Sequence, residues 1–110
     1  MSRKIYDKLI RDRIPEVIKS KGHIPKFSIM NDSDFREALK NKMVEEAKEL
    51  TEAKTKEDVL NELSDIQELV MAIAKNYEFN MDEIEKKRKK KLQERGGFEK
   101  RFLLECVDEQ

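Results

Sequence analysis

The feature that most constrains this chain is the long stretch between Pro25 and Gly96, which holds neither proline nor glycine. Good helix formers fill most of it, which favours long helices. Residues that commonly cap helix N-termini divide it at three places: Asn31-Asp32-Ser33, Thr55 with Asp58, and Asn80 with Glu83. The sequence therefore predicts helices over about residues 31–53, 55–77 and 80–95, the last one ending at the glycine pair.

The first third of the chain has a different character, because it holds both prolines. Pro15 suits the first turn of a short helix over residues 16–21 that ends at Gly22. Residues 24–30 favour extended chain or a short edge strand. We expect an all-α fold, an antiparallel bundle of about four helices with an irregular N-terminal arm. The expected single domain spans residues 1–110, with the arm at 1–30, a helical core at 31–97 and a tail at 98–110 with apolar residues that could dock back.

Composition limits both the core and the possible partners. Charged residues make up 44% of the chain and hydrophobic residues 37%, against a usual charged share of about 25%. The predicted core is thin, so we expect a homo-oligomer, either a dimer or a tetramer. The 24 basic and 24 acidic residues cancel, which disfavours a general nucleic-acid coat.

Several classes of protein are excluded by what the chain lacks. No apolar run approaches the roughly 18 residues of a membrane span. With one cysteine and one histidine, the chain can form no internal disulfide and no ordinary His/Cys zinc cage. A hydrolase centred on several histidines is excluded as well. We expect a soluble, cytoplasmic protein.

Charge is concentrated in three segments. Residues 1–30 hold eight basic and three acidic side chains, net +5, and residues 81–95 hold seven and four, net +3. Between them, residues 45–68 hold nine acidic and three basic side chains, net −6. An acidic centre flanked by basic segments suits a cation and an anion bound side by side.

Four of these acids lie where apolar residues are expected. On a helical wheel, Glu46 falls in the middle of the apolar arc of the first long helix, with Glu49 to one side. Glu62 falls inside the arc of the second long helix, and Asp65 lies at its edge. Each pair is spaced three apart, so its members converge. A buried carboxylate needs a counter-charge or a proton.

Four converging carboxylates suit a hard divalent ion, above all Mg²⁺ or Mn²⁺. A di-iron site is disfavoured, because neither pair contains the histidine of a Glu-x-x-His motif. The alternative is structural, with partly exposed acids paired to Lys42 or Lys48.

The acidic pattern also resembles that of a known family. Glu45-Glu46-x-x-Glu49, twelve residues, then Glu62-x-x-Asp65 resembles the signature of the MazG-type all-α nucleoside triphosphate pyrophosphatases. Two flanking motifs resemble its phosphoribosyl-ATP pyrophosphohydrolase-like branch: Tyr6-x-Lys8-Leu9-x-Arg11-Asp12-x-Ile14-Pro15-Glu16 and Lys91-x-x-x-Arg95-Gly96-Gly97-Phe98-x-x-Arg101. The resemblance covers about residues 5–105.

This resemblance implies Mg²⁺-dependent hydrolysis of a nucleoside triphosphate, standard or modified, to the monophosphate and pyrophosphate. It implies four metal ligands, Glu46, Glu49, Glu62 and Asp65. Glu45 would be a further acid near the metal or the attacking water. The same resemblance makes the arm, with Lys8 and Arg11, a lid or a substrate contact.

A basic face supplies the candidate phosphate contacts. Arg88, Lys91 and Arg95 share one side of the third long helix because of their spacing, and Lys91 and Arg95 match phosphate-binding positions of the family. A rival hypothesis makes residues 86–95 a non-enzymatic face for nucleic acid or another polyanion. Nucleic acid is the weaker prediction, since the carboxylates would repel phosphates without a metal. Phosphoribosyl-ATP remains an alternative substrate.

Overall fold

The computed structural model describes residues 2–110, and these form four α-helices and no strand. The helices are α1, Ile14–Ser20; α2, Asp32–Glu52; α3, Lys56–Asn76; and α4, Met81–Arg95. The predicted all-α fold of about four helices with an irregular N-terminal arm is confirmed. The chain divides into two compact units, one ending at Glu78 and the other spanning Phe79–Gln110. No helix in the described part of the chain is long and apolar enough to cross a membrane.

The predicted N-caps set the starts of the long helices. The side chains of Asn31 and Thr55 each accept a hydrogen bond from the backbone amide three residues on, at 2.8 and 3.1 Å. Asn80 forms a complete capping box, in which its side chain accepts from the amide of Glu83 at 2.8 Å and Glu83 accepts in return at 3.3 Å. These bonds satisfy amides that have no partner within the helix.

The remaining boundaries differ from the sequence prediction by small amounts. Helix α1 begins at Ile14, ahead of Pro15, and ends at Ser20. Helix α4 ends at Arg95 and is capped by Gly96, whose φ of 78° suits a glycine and whose amide donates to the carbonyl of Leu92 at 2.9 Å. Residues 24–30 contain no strand, because no second strand in residues 2–110 is there to pair with them.

Helices α2 and α3 pack antiparallel and carry the small core of the first unit. A three-residue link, residues 53–55, joins them. Leu39 of α2 and Ala74 of α3 are the buried hydrophobic residues, at 2% and 3% exposure. The open end of the hairpin is fastened by Arg36, which donates to the side-chain and backbone oxygens of Asn76 at 2.6 and 3.2 Å. The centres of both helices therefore face each other.

The tail does not pack back as the sequence suggested. Val107 is exposed, and so are the four apolar residues expected to dock: Phe98, Phe102, Leu103 and Leu104. The physical reason lies in α4, the helix of the same unit, whose surface is mostly charged and offers little apolar area. An apolar tail gains nothing by covering a charged helix face.

Because the described core is so small, Leu39→Ala should destabilise the chain severely. We expect a loss of about 2–5 kcal/mol, since the cavity lies where α2 and α3 meet. Leu104→Ala is the control, because it makes the same change at a side chain that is 78% exposed and lies outside the core; it should change stability by about 0.5 kcal/mol or less. Urea unfolding measures both. Equal losses would contradict the assigned core.

Candidate metal centre

Three carboxylates meet between α2 and α3. Oxygens of Glu46, Glu49 and Glu62 lie within 4.8 Å of one another. Glu46 and Glu49 share a face of α2 because they are three residues apart, and the antiparallel packing brings Glu62 opposite them. The structure thus brings together three of the four acids predicted as metal ligands.

Burial makes this cluster unusual. Glu46 is only 7% exposed, whereas Glu62 is half-buried and Glu49 is exposed. One oxygen of Glu46 and one of Glu62, the Oε2 atom in each case, is buried and has no hydrogen-bond partner in the described chain. An unpartnered buried oxygen costs about 1–3 kcal/mol, and more when it is charged. A cation bound by the cluster would give both atoms a partner.

The same crowding changes the acidity of the cluster. Burial raises the pKa of Glu46 above its usual 4.5, and the neighbouring Glu62 raises it further. The pKa of Glu49 is also raised, chiefly by Glu46 and then by burial. Lys42 opposes these effects, since its Nζ lies 3.6 Å from Glu46 Oε1. One lysine does not offset three acids, so the cluster favours a proton or a metal ion.

The structural alternative, in which lysines neutralise the acids, holds only in part. Lys42 contacts both Glu46 and Glu45, the latter at 3.7 Å. Lys48 forms no salt bridge in residues 2–110. Since Lys42 contacts Oε1 of Glu46, the buried Oε2 stays without a partner. Pairing with lysine therefore leaves the centre of the cluster uncompensated.

The two remaining predicted acids are held by the N-terminal arm. Asp65 Oδ1 accepts a hydrogen bond from Arg11 Nη2 at 2.7 Å. Glu45 lies 3.9 Å from Lys8 Nζ. Asp65 is outside the group of three converging carboxylates. Lys8 and Arg11, which the family resemblance makes part of a lid or a substrate contact, here contact acids of the candidate site.

An open cavity of about 240 Å³ adjoins the cluster on the side of the helix link. Its lining includes Glu49 and Glu62 together with three polar residues that sequence analysis missed: Glu52, Asp58 and Asn61. Helical spacing could have identified two of them, because Glu52 lies three residues after Glu49 and Asp58 lies four before Glu62, which places each pair on one helix face. The cavity has room for an ion with some of its bound water.

The basic residues of α4 belong to the second unit. Arg88 is engaged by Glu85, with its Nε donating to Glu85 Oε2 at 3.0 Å, and this contact lowers the pKa of Glu85. Lys91 and Arg95 are exposed and form no salt bridge in the described residues. Of the predicted basic face, these two cations are the ones left for a ligand.

The acidic site lies within a stretch of sequence that matches a known protein family. The model of the MazG-like family matches residues 29–103. The chain belongs to the MazG-like family. The match includes α2, α3 and α4, and hence all five acids of the candidate site.

One relative of this MazG-like chain is a protein of Mycolicibacterium smegmatis (strain ATCC 700084 / mc(2)155) that carries the description "Uncharacterized protein". The two are 40% identical over 52 residues, which cover 47% of this chain and 53% of the relative. The chain thus spans about half the length of the curated relative it matches. No solved structure matches the chain.

The raised pKa of Glu46 predicts a pH-dependent penalty in the metal-free protein. The penalty is fully present above the raised folded pKa, where the carboxylate is ionised in both the folded and the unfolded chain, and disappears as the pH falls through that pKa towards the unfolded value of 4.5. Glu46→Gln should therefore raise the melting temperature in EDTA at pH 7, and the gain should shrink towards pH 4. Glu68→Gln, at an exposed position of α3, should show neither effect. A gain for Glu46→Gln that is the same at both pH values would contradict the assigned cause.

Proposed function

We propose that this MazG-like chain hydrolyses a nucleoside triphosphate, standard or modified, between its α and β phosphates with Mg²⁺ as the cofactor. Mn²⁺ would serve as a substitute. One observation carries the proposal: the two buried, unpartnered oxygens of Glu46 and Glu62 within a three-carboxylate cluster. Family membership supports the reaction class. The products are the monophosphate and pyrophosphate, and the role is removal of unwanted nucleotides.

Glu46, Glu49 and Glu62 are the residues that would hold the ion, with Asp65 as the fourth ligand proposed from the sequence. A bound Mg²⁺ supplies charge stabilisation at the phosphate oxygens and lowers the pKa of a bound water. The ligands come from two rigid helices whose far ends are fastened by Arg36. This rigidity fixes the carboxylates before substrate arrives, which is the main requirement of phosphoryl chemistry.

Glu45 is the acid proposed to orient the attacking water and take up its proton. It neighbours Glu46 on α2 but stays outside the converging group, and its contacts are the lysines Lys8 and Lys42. A carboxylate that is not needed as a ligand is free to act as a base. Lys91 and Arg95 are proposed to neutralise phosphate oxygens, which Arg does with two parallel hydrogen bonds.

We propose that the working form is a homo-oligomer. Four apolar side chains of the α2–α3 hairpin are 47–69% exposed: Val44, Leu60, Leu63 and Met71. An exposed apolar surface on so small a core favours association. Light scattering coupled to size-exclusion chromatography measures the mass, and a 13.1 kDa particle at micromolar concentration would contradict the proposed association.

Product analysis tests the reaction class. The chain is incubated with each ribo- and deoxyribonucleoside triphosphate, and with phosphoribosyl-ATP, in Mg²⁺. Chromatography then separates the nucleotide products, and pyrophosphate is assayed directly. Monophosphate with an equal amount of pyrophosphate is expected. Diphosphate with inorganic phosphate would refute the reaction class without refuting the metal site.

Removing one charge from the cluster should nearly abolish turnover. Glu49→Gln keeps the size of the side chain and removes a proposed ligand, so we expect at least about a hundredfold loss of kcat. Asp65→Asn should act in the same direction. Glu68→Gln, also an acid-to-amide change on the hairpin, should stay near the parent rate. Circular dichroism verifies the folding of each variant. Activity of Glu49→Gln within a few fold of the parent would contradict the assignment of Glu49 as a metal ligand.

The basic face of α4 distinguishes the enzyme from a polyanion binder. Arg95→Ala should raise KM or lower kcat by at least tenfold, about 1.4 kcal/mol. Lys86→Ala and Lys90→Ala should change activity by less than about threefold, because both side chains are exposed and lie on the far side of α4 from Arg95.

Salt-dependent oligonucleotide binding by the same three variants completes this test. A polyanion binder would lose similar affinity at each position, with a steep dependence on salt. Equal effects at all three positions, with tight nucleic-acid binding and no pyrophosphate release, would favour the rival hypothesis.

A further inference from the structure

The N-terminal arm reaches the acidic site through two cations, and both contacts fall on acids of that site. Arg11 Nη2 lies 2.7 Å from Asp65 Oδ1, and Lys8 Nζ lies 3.9 Å from Glu45 Oε1. The next basic residue of the arm, Arg13, turns elsewhere and pairs with Glu16 at 3.3 Å. The arm is therefore attached to the hairpin at the place where negative charge is densest.

Both ion pairs between the arm and the hairpin are weak. The Arg11 and Asp65 side chains are 59% and 40% exposed, and those of Lys8 and Glu45 are 44% and 40% exposed. Arg11 makes one hydrogen bond to Asp65 rather than the paired bonds of a bidentate contact. Ion pairs this exposed stabilise a contact only slightly. The field of the whole cluster, more than either pair, holds the arm.

A divalent ion would weaken that field. When the five carboxylates at positions 45, 46, 49, 62 and 65 are all ionised, they and Lys42 together carry a net charge of −4. One divalent ion among the three converging carboxylates brings this to −2, which halves the charge that attracts the arm. Asp65 lies one helical turn from Glu62 on α3, so the ion also competes with Arg11 for its oxygens.

We propose that the arm is a cation-sensitive latch, closed by Arg11 and Lys8 in the metal-free chain and released when a divalent ion takes Arg11's place at Asp65. Release frees two positive charges beside the ion, where a triphosphate is to bind. This inference rests on the proposed metal site. Because linkage is reciprocal, a closed latch must also lower the affinity of the site for the ion.

Calorimetric titration of the full chain with Mn²⁺ tests the reciprocal effect. Arg11→Gln should bind Mn²⁺ about threefold to fivefold more tightly than the parent, which is the factor expected for one partly exposed ion pair. Arg13→Gln is the matched control, since it removes the same charge from the same arm but leaves both latch contacts in place. It should bind like the parent. An unchanged or weaker affinity in Arg11→Gln, as expected if Arg11 merely orients Asp65 as a ligand, would overturn the latch.

Nuclear magnetic resonance of the ¹⁵N-labelled chain tests the release itself. On saturation with Mg²⁺, the heteronuclear NOE of the arm amides between Tyr6 and Arg11 should fall, and in Arg11→Gln it should be low from the start. Amide shifts at Glu46, Glu49 and Glu62 report ion binding separately. Shifts there with an unchanged arm would overturn the latch alone, whereas no shifts at saturating Mg²⁺ would overturn the metal site and the latch together.

Discussion

The buried carboxylate of Glu46 is the constraint on which the rest of the structure depends. It lies between α2 and α3, where a leucine would stabilise the pair, and one of its oxygens has no partner. A carboxylate in this position persists only if its surroundings are held rigid or a counter-charge arrives. The capped helix starts and the Arg36–Asn76 contact supply the rigidity. Lys42 supplies part of the counter-charge, and a bound cation would supply the remainder.

The long helices could be predicted from the sequence because their signals are local. N-caps at Asn31, Thr55 and Asn80, and the glycine after α4, act within a single turn. The convergence of Glu46, Glu49 and Glu62 could also be predicted, since helical spacing fixes which side chains share a face. The family match over residues 29–103 agrees with the resemblance found in the acidic and basic motifs.

The contacts of the arm could not be predicted, because they join residues far apart in the chain. Arg11 and Asp65 are separated by 54 positions, and no periodicity links an irregular segment to a helix face. The exposed tail was missed for a different reason. Apolar residues such as Phe102 indicate burial only where an apolar surface is near, and α4 provides little of it.

Helix α3 carries site acids on one side and exposed apolar residues on the other. At 100° per residue, Leu60 and Met71 lie on nearly the opposite side of the helix from Glu62. One side therefore carries the acids and the other carries exposed apolar residues. A second chain that covered the apolar side would add the burial that the hairpin lacks without displacing a carboxylate. The acidic residues and the exposed apolar residues lie on different sides of α3. The stability gained by association can therefore offset the repulsion among the carboxylates while the acids stay in place.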